Sequence, residues 1–199
     1  RQMIKGHFDK LKNTHRFLVT GSARLDYYRK SGDSLLGRYY YYRLHPFSYP
    51  ELNYQDLNGL LKFGGFPEPY LKQSEIELRR WQLQRLERII YSDIRDLERV
   101  NEISLIQLLA ESLPDRVGSP LSRKNLAGEL EIDFKTLERW IKILENVYYC
   151  FRIPPFGAPK IRAVKKEQKL YLWDWSELTN DVIQWENFIA CHLLKYCHF

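Results

Sequence analysis

Four residues recur at the spacing of a single helix face: Lys135, Arg139, Lys142 and Asn146. At about 100° per residue they share one arc of a helix over 134–147. Three cations and an amide on such an arc can pair with phosphate oxygens and with base edges in a groove. Glu138 and Glu145 flank the arc, and carboxylates repel phosphates. The same face also reads as an ordinary solvated, mixed-charge surface. A second group follows in a Pro- and Gly-containing stretch: Lys160, Arg162, Lys165 and Lys166, with Lys169 beyond them and Glu167 the nearby acid. A basic hairpin tip can track a phosphate backbone by charge alone, and can equally serve only to keep a loop in water.

Other reactive side chains offer less. Glu186 sits beside an apolar helix face made by Val182, Trp185, Ile189 and Leu193, as a paired structural carboxylate or the remnant of a metal site. Cys150, Cys191 and Cys197 are odd in number and lack metal-ligand spacing, which reads as reduced thiols in a cytoplasmic protein. No G-x-x-x-x-G-K-[ST] loop is present to cradle phosphates. The net charge of +6 suits a nucleic-acid partner without requiring one. No apolar run approaches the roughly 20 residues that span a bilayer, so no membrane partner is expected.

The elements that must carry these groups read as mainly α, with an α/β N-terminal portion. Residues 2–12 have helical spacing of Met3, Ile4, Phe8 and Leu11. Phe17-Leu18-Val19 reads as a buried parallel strand, and Tyr39 to Leu44 as a second, with Tyr39 to Tyr42 packed inside. A helix over 23–36 joins them. Two strands cannot close such a sheet, so the chain is expected to be an internal portion of a longer protein. A helix from about 75 to 98 has Leu83, Leu86, Ile90, Ile94 and Leu97 on one face, with Arg85, Arg88, Arg95 and Arg99 pointing elsewhere. Helices are predicted at 103–113, at 123–130 after Ser122, and at 134–147 after a turn capped by Asp133. Phe134, Leu137, Ile141, Leu144 and Tyr148 form the core side of the last. A hairpin follows, with arms at 150–153 and 169–173. Helix, tight turn, helix and hairpin make a winged helix-turn-helix.

The order of several motifs resembles one family. Val19-Thr20-Gly21-Ser22, Leu35-Leu36-Gly37-Arg38 and Leu44-His45-Pro46-Phe47-Ser48-Tyr49-Pro50-Glu51-Leu52 resemble the second half of the bacterial and archaeal AAA+-like ATPases that carry a C-terminal DUF4143 region. Phe63-Gly64-Gly65-Phe66-Pro67-Glu68-Pro69 resembles that family's glycine-rich link. Arg80-Trp81 through Asp93-Ile94 resembles its long helix, with Ser92 where an arginine is usual. Lys169-Leu170-Tyr171-Leu172-Trp173-Asp174 and Trp185-Glu186-Asn187-Phe188-Ile189 resemble its later strand and the first helix of its nuclease-like domain.

The resemblance implies a partial AAA+ sheet over 1–60, a helical lid or linker over 61–101, a winged helix over 102–176 and the start of a nuclease-like domain over 177–199. It implies sensor duty for Ser22 at the γ-phosphate, although a turn serine would look the same. It implies an arginine finger at Arg38, where a guanidinium could spread phosphoryl charge. ATP and Mg2+ belong to the longer parent, whose phosphate loop and magnesium-holding acids lie before this stretch. This portion alone is expected to hold neither and to hydrolyse nothing. DNA is the expected partner, with homo-oligomer formation also open. The rival reading is a winged helix that binds protein and not DNA.

Overall fold

The computed structural model describes residues 2–21, 39–94, 103–157 and 167–198. They fall into two compact units, Arg1–Leu44 and His45–Phe199. Among the described residues the chain is mainly helical, with one two-stranded antiparallel sheet.

In the first unit, helix α1 spans Gln2–Leu11. Its last turn closes on the Leu11 carbonyl, which accepts from the backbone N–H groups of Thr14 and His15 and from the Thr14 hydroxyl. The two strands predicted here are absent. Residues 15–21 and 39–44 have no regular structure. Leu18 is 91% exposed and Tyr40 89%, and Tyr39 and Tyr42 also face solvent. A parallel strand has no hydrogen bonds of its own and exists only when a neighbour accepts its ladder. Among the described residues none pairs with 17–19 or 39–44, so apolar composition alone does not make them strands. The helix predicted at 23–36 lies outside the described residues.

The second unit is built by short helices with explicit caps. A 3-10 turn at Tyr49–Leu52 is closed by a capping box, in which Glu51 accepts from the Ser48 N–H at 2.9 Å. Helix α2, Leu57–Phe63, starts at Asp56, whose carboxylate accepts from Gly59 N–H. Gly64 and Gly65 break the chain, and α3, Pro67–Lys72, begins on Pro67, where the missing N–H costs nothing. Helix α4, Glu75–Arg88, is capped by Ser74 and runs into a wide π-helical turn, Ile89–Ile94. The predicted apolar face holds only in its last part. Ile90 and Ile94 are fully buried, Leu86 is half-buried and Leu83 is 72% exposed. Leu97, Arg95 and Arg99 lie outside the described residues. Arg85, expected to point away from the core, points into it.

Helix α5 spans Ile103–Ser112, α6 Arg123–Glu129 and α7 Phe134–Asn146. Asp133 caps α7 by accepting from Lys135 and Thr136 N–H at 2.8 and 3.0 Å. Ser122 stands at the N-cap of α6 but makes no side-chain cap bond. Strand β1, Cys150–Ile153, pairs antiparallel with β2, Lys169–Leu172, in the register Cys150↔Leu172. On the far edge of β2, Gly118 N–H donates to Leu170 O and Leu121 N–H to Gln168 O, with a bridge between Pro120 and Lys169.

Helix α8, Asp181–His198, packs against the end of β2 through Asn187. The Asn187 amide accepts from Leu172 N–H and donates to Leu172 O, both at 2.8 Å, so one fully buried side chain satisfies both groups of one strand residue. Trp175 donates its indole N–H to Leu60 O at 2.9 Å, tying α2 to the segment after β2. Tyr49 N–H donates to His192 Nε2, while His192 Nδ1 lies 2.8 Å from Phe188 O. That pairing requires the proton on Nδ1.

The stripe of Val182, Trp185, Ile189 and Leu193 on α8 faces solvent among the described residues. Glu186 bonds Lys169 at 2.9 Å and the Tyr171 hydroxyl at 2.8 Å, the geometry of a paired structural carboxylate. Lys169, the phenol and the opposing effect of burial leave its carboxyl below the usual range.

Candidate nucleic-acid-binding face

The amphipathic pattern of α7 sets which side chains reach solvent. Leu137, Trp140, Ile141, Ile143 and Leu144 are buried, a wider arc than the sequence suggested. Phe134, expected inside, is 45% exposed, with the Arg123 guanidinium 5.4 Å from its ring centre. Tyr148 is half-buried. Lys135, Arg139 and Lys142 are exposed. Asn146 is not with them: it is 2% exposed, and its side-chain nitrogen has no hydrogen-bond partner among the described residues. It occupies the final turn of α7, where the chain reverses through Tyr148, whose φ is 56°. Helical angle alone puts Asn146 with the cations; the reversal toward β1 removes it.

The two acids beside this face are tied down. Arg152, on β1, places Nε 2.9 Å from Glu145 Oε1 and Nη1 3.2 Å from Glu138 Oε2. Arg123 meets Glu138 at 3.0 Å, and Lys142 meets Glu145 at 3.2 Å. Burial works against ionising Glu145, but Arg152 and Lys142 hold its carboxyl below the usual range. The result is a ladder Arg123–Glu138–Arg152–Glu145–Lys142 along one edge of α7. Lys135 and Arg139 have no ion-pair partner among the described residues and project from the other edge. Sequence reading missed the ladder. Its signal was available: glutamates seven apart lie two turns apart on one line, and the hairpin arm carries a lone arginine.

Ser22, Arg38, Lys160, Arg162, Lys165 and Lys166 lie outside the described residues. Among the described residues, no cluster of three or more His, Cys, Asp or Glu could hold a metal ion. No helix of the described residues is long and apolar enough to cross a membrane.

A second charged group lies beneath the helices and was not anticipated. Arg85 Nη1 lies 2.9 Å from Glu177 Oε1, and Nη2 donates to Tyr148 O at 3.1 Å. Asp174 is 1% exposed and accepts from Ser176 N–H and Oγ, and its second oxygen has no hydrogen-bond partner among the described residues. The Tyr149 hydroxyl lies 3.0 Å from both Ala110 O and Glu177 Oε2. A phenol has one hydrogen to give. Both contacts are satisfied when Glu177 carries a proton and donates it to the phenol oxygen. Burial pushes the Glu177 carboxyl up to about 7; Arg85 opposes this and Asp174 adds to it.

The folded state therefore binds a proton at Glu177 more tightly than the unfolded chain does, whose glutamates titrate at about 4.3. Its contribution to stability is complete below the unfolded value and is lost as pH rises through about 7. Between about pH 5.5 and about pH 8 the wild-type urea midpoint is expected to fall relative to that of Glu177→Gln, while His192, neutral when it accepts from Tyr49 N–H, pulls the other way in both proteins. Parallel midpoint curves for wild type and Glu177→Gln across the window contradict a protonated Glu177.

Comparison with known proteins places these features. A family profile described as "Domain of unknown function (DUF8612)" matches residues 54–185. The chain belongs to this family. DUF8612 thus covers α2 to the start of α8, the stretch in which a DUF4143 region was expected; the match is to DUF8612 and the DUF4143 assignment is corrected accordingly. Residues 1–53 match an AAA domain, which supports an AAA-like ATPase relationship for the N-terminal part. The DUF8612 chain is also similar to "Uncharacterized protein MJ1637" of Methanocaldococcus jannaschii, 32% identical over 128 residues. That match takes in 61% of this chain and 26% of the relative, so the chain spans about a quarter of the curated relative's length. No solved structure matches.

Proposed function

We propose that this DUF8612 chain is the DNA-contacting part of an AAA-type ATPase, with residues 102–176 acting as a winged helix-turn-helix. One observation carries the reading: Lys135 and Arg139 project from the exposed face of α7, with Lys142 beside them 3.2 Å from Glu145, while the neighbouring acids are engaged chiefly by Arg123 and Arg152. In such a domain the second helix of the pair lies in the major groove and the wing follows the backbone. Support for the architecture comes from the order α5, α6, α7, β1, β2 and from segment 118–121 lying along β2. Lys160, Arg162, Lys165 and Lys166, which lie between β1 and β2 in the sequence, would add phosphate contacts.

In this reading residues 1–60 belong to the ATPase module, 61–101 to a helical linker and 177–199 to the start of a further domain. ATP and Mg2+ act in the longer parent, with Ser22 sensing the γ-phosphate and Arg38 reaching phosphoryl oxygens. Such work belongs in the cytoplasm.

The test is titration with a labelled duplex of about 20 base pairs at several salt concentrations, since each phosphate neutralised adds about 0.9 to the slope of log affinity against log salt. Wild type should show a steep slope. Lys135→Glu with Arg139→Glu should weaken binding about tenfold or more and reduce the slope by about 2. Flat, negligible binding would favour the second reading, a protein-interaction or self-association module. The solvent-facing stripe of Val182, Trp185, Ile189 and Leu193 on α8 speaks for that alternative.

A further inference from the structure

We infer that Arg152 is the positioning residue that sets the sign of the α7 face: by holding Glu138 and Glu145 at the edge, it lets a phosphate backbone approach Lys135, Arg139 and Lys142. This inference rests on the DNA reading above. Arg152 lies on β1, not on the helix that would read DNA, and its side chain is only 10% exposed. Its guanidinium meets both carboxylates, through Nε and Nη2 to Glu145 at 2.9 and 3.3 Å and through Nη1 to Glu138 at 3.2 and 3.3 Å. A planar fork with several donors can engage two carboxylates at once; an ammonium on a flexible stem would hold them less firmly.

The consequence is electrostatic. Glu138 and Glu145 sit one and three positions from Arg139 and Lys142. Left unpaired, each would swing into solvent beside those cations and cancel part of their attraction for phosphate. Arg123 meets Glu138 and Lys142 meets Glu145, whereas Arg152 engages both acids. Lys142 is the more informative neighbour: it already lies 3.2 Å from Glu145, sharing that carboxylate with Arg152, and without Arg152 it is left as the main counter-charge and is held more firmly away from any phosphate. The loss of one buried arginine thus removes more positive potential from the face than its own charge.

The experiment compares four forms of the chain on the same 20-base-pair duplex, each first checked for folding by circular dichroism and thermal melting. Arg152→Gln is expected to weaken binding about tenfold and to make the salt dependence shallower. Glu138→Gln with Glu145→Gln, keeping Arg152, is expected to bind as tightly as wild type or several-fold tighter. The triple variant, with all three changed to glutamine, is expected to recover most of the affinity lost in Arg152→Gln. A purely structural arginine would lower the melting temperature without altering the salt slope, and the two glutamines would not rescue it. If wild type binds and Arg152→Gln binds equally well with the same slope, the inference fails alone. If the double glutamine variant binds more weakly than wild type, it fails as well, and this variant retains every cation. If wild type itself shows no salt-dependent binding, the DNA reading fails and takes this inference with it.

Discussion

Arg85→Leu is expected to destabilise the His45–Phe199 unit by about 3–5 kcal/mol at about pH 8, where Glu177 is ionised, the usual consequence of removing one partner from a buried ion pair. The side chain is 11% exposed and its partner Glu177 16% exposed, so solvent screening does little for either. The guanidinium also lies 4.8 and 5.6 Å from the ring centres of Phe66 and Tyr149 and donates to the Tyr148 carbonyl in the turn before β1. Leucine replaces the packing but leaves Glu177 and Asp174 beneath the helices without a cation. Neither can then ionise cheaply, and burial already pushes both carboxyls up. Chemical denaturation at about pH 8, above the Glu177 value of about 7, reads the loss. Two further variants separate charge from packing. Arg85→Lys should recover part of the stability, and Arg85→Leu with Glu177→Gln should recover more, since it removes the stranded charge. Equal stability of wild type and Arg85→Leu would refute a structural role for the cluster.

Gly64→Ala should cost about 3 kcal/mol or more. Gly64 has φ 76° and ψ 177°, a backbone region that is essentially glycine's alone. A Cβ there would lie 2.6 Å from Asp174 Oδ1 and 3.2 Å from Ser176 Cβ. Neither neighbour can yield: Asp174 is fixed by its bonds to Ser176, and the segment it caps carries Trp175 into the core. The adjacent glycine is as constrained, because a Cβ on Gly65 would meet the Phe47 carbonyl at 2.7 Å. Gly128 in α6 is the control. Nothing lies within 4 Å of a Cβ there, so Gly128→Ala should be neutral or stabilise by up to about 1 kcal/mol through helix propensity. Thermal melts of the two alanine variants side by side give the comparison. A Gly64→Ala protein as stable as wild type would mean that the loop does not clamp the segment after β2.

These two positions mark where local and long-range information divide. The break at Gly64-Gly65-Phe66-Pro67 was visible as composition, yet what demands glycine is Asp174, more than a hundred residues later. Helical periodicity through Leu83, Leu86, Ile90 and Ile94 points Arg85 outward. Leu83 is exposed and Arg85 is inside, since the helix packs on the Tyr148–Tyr149 turn and on Glu177, a surface no local pattern announces. The strands predicted at 17–19 and 39–44 failed for a related reason: apolar content gives a strand candidate, but its existence depends on a partner.

The amino-acid sequence by itself determined the helices α5 to α7, the Asp133 cap and the two hairpin arms, because periodicity, capping side chains and β-rich runs act over a few residues and carry their own hydrogen-bond solution. It also determined which cations line the outer face of α7. Tertiary structure alone decided that Asn146 turns inward, that Arg152 restrains Glu138 and Glu145, and that Arg85 joins Glu177, Asp174 and Tyr149 beneath the surface. Those outcomes depend on which distant charges and carbonyls come within about 3 Å of one another, and burial then fixes what each group must do to remain there.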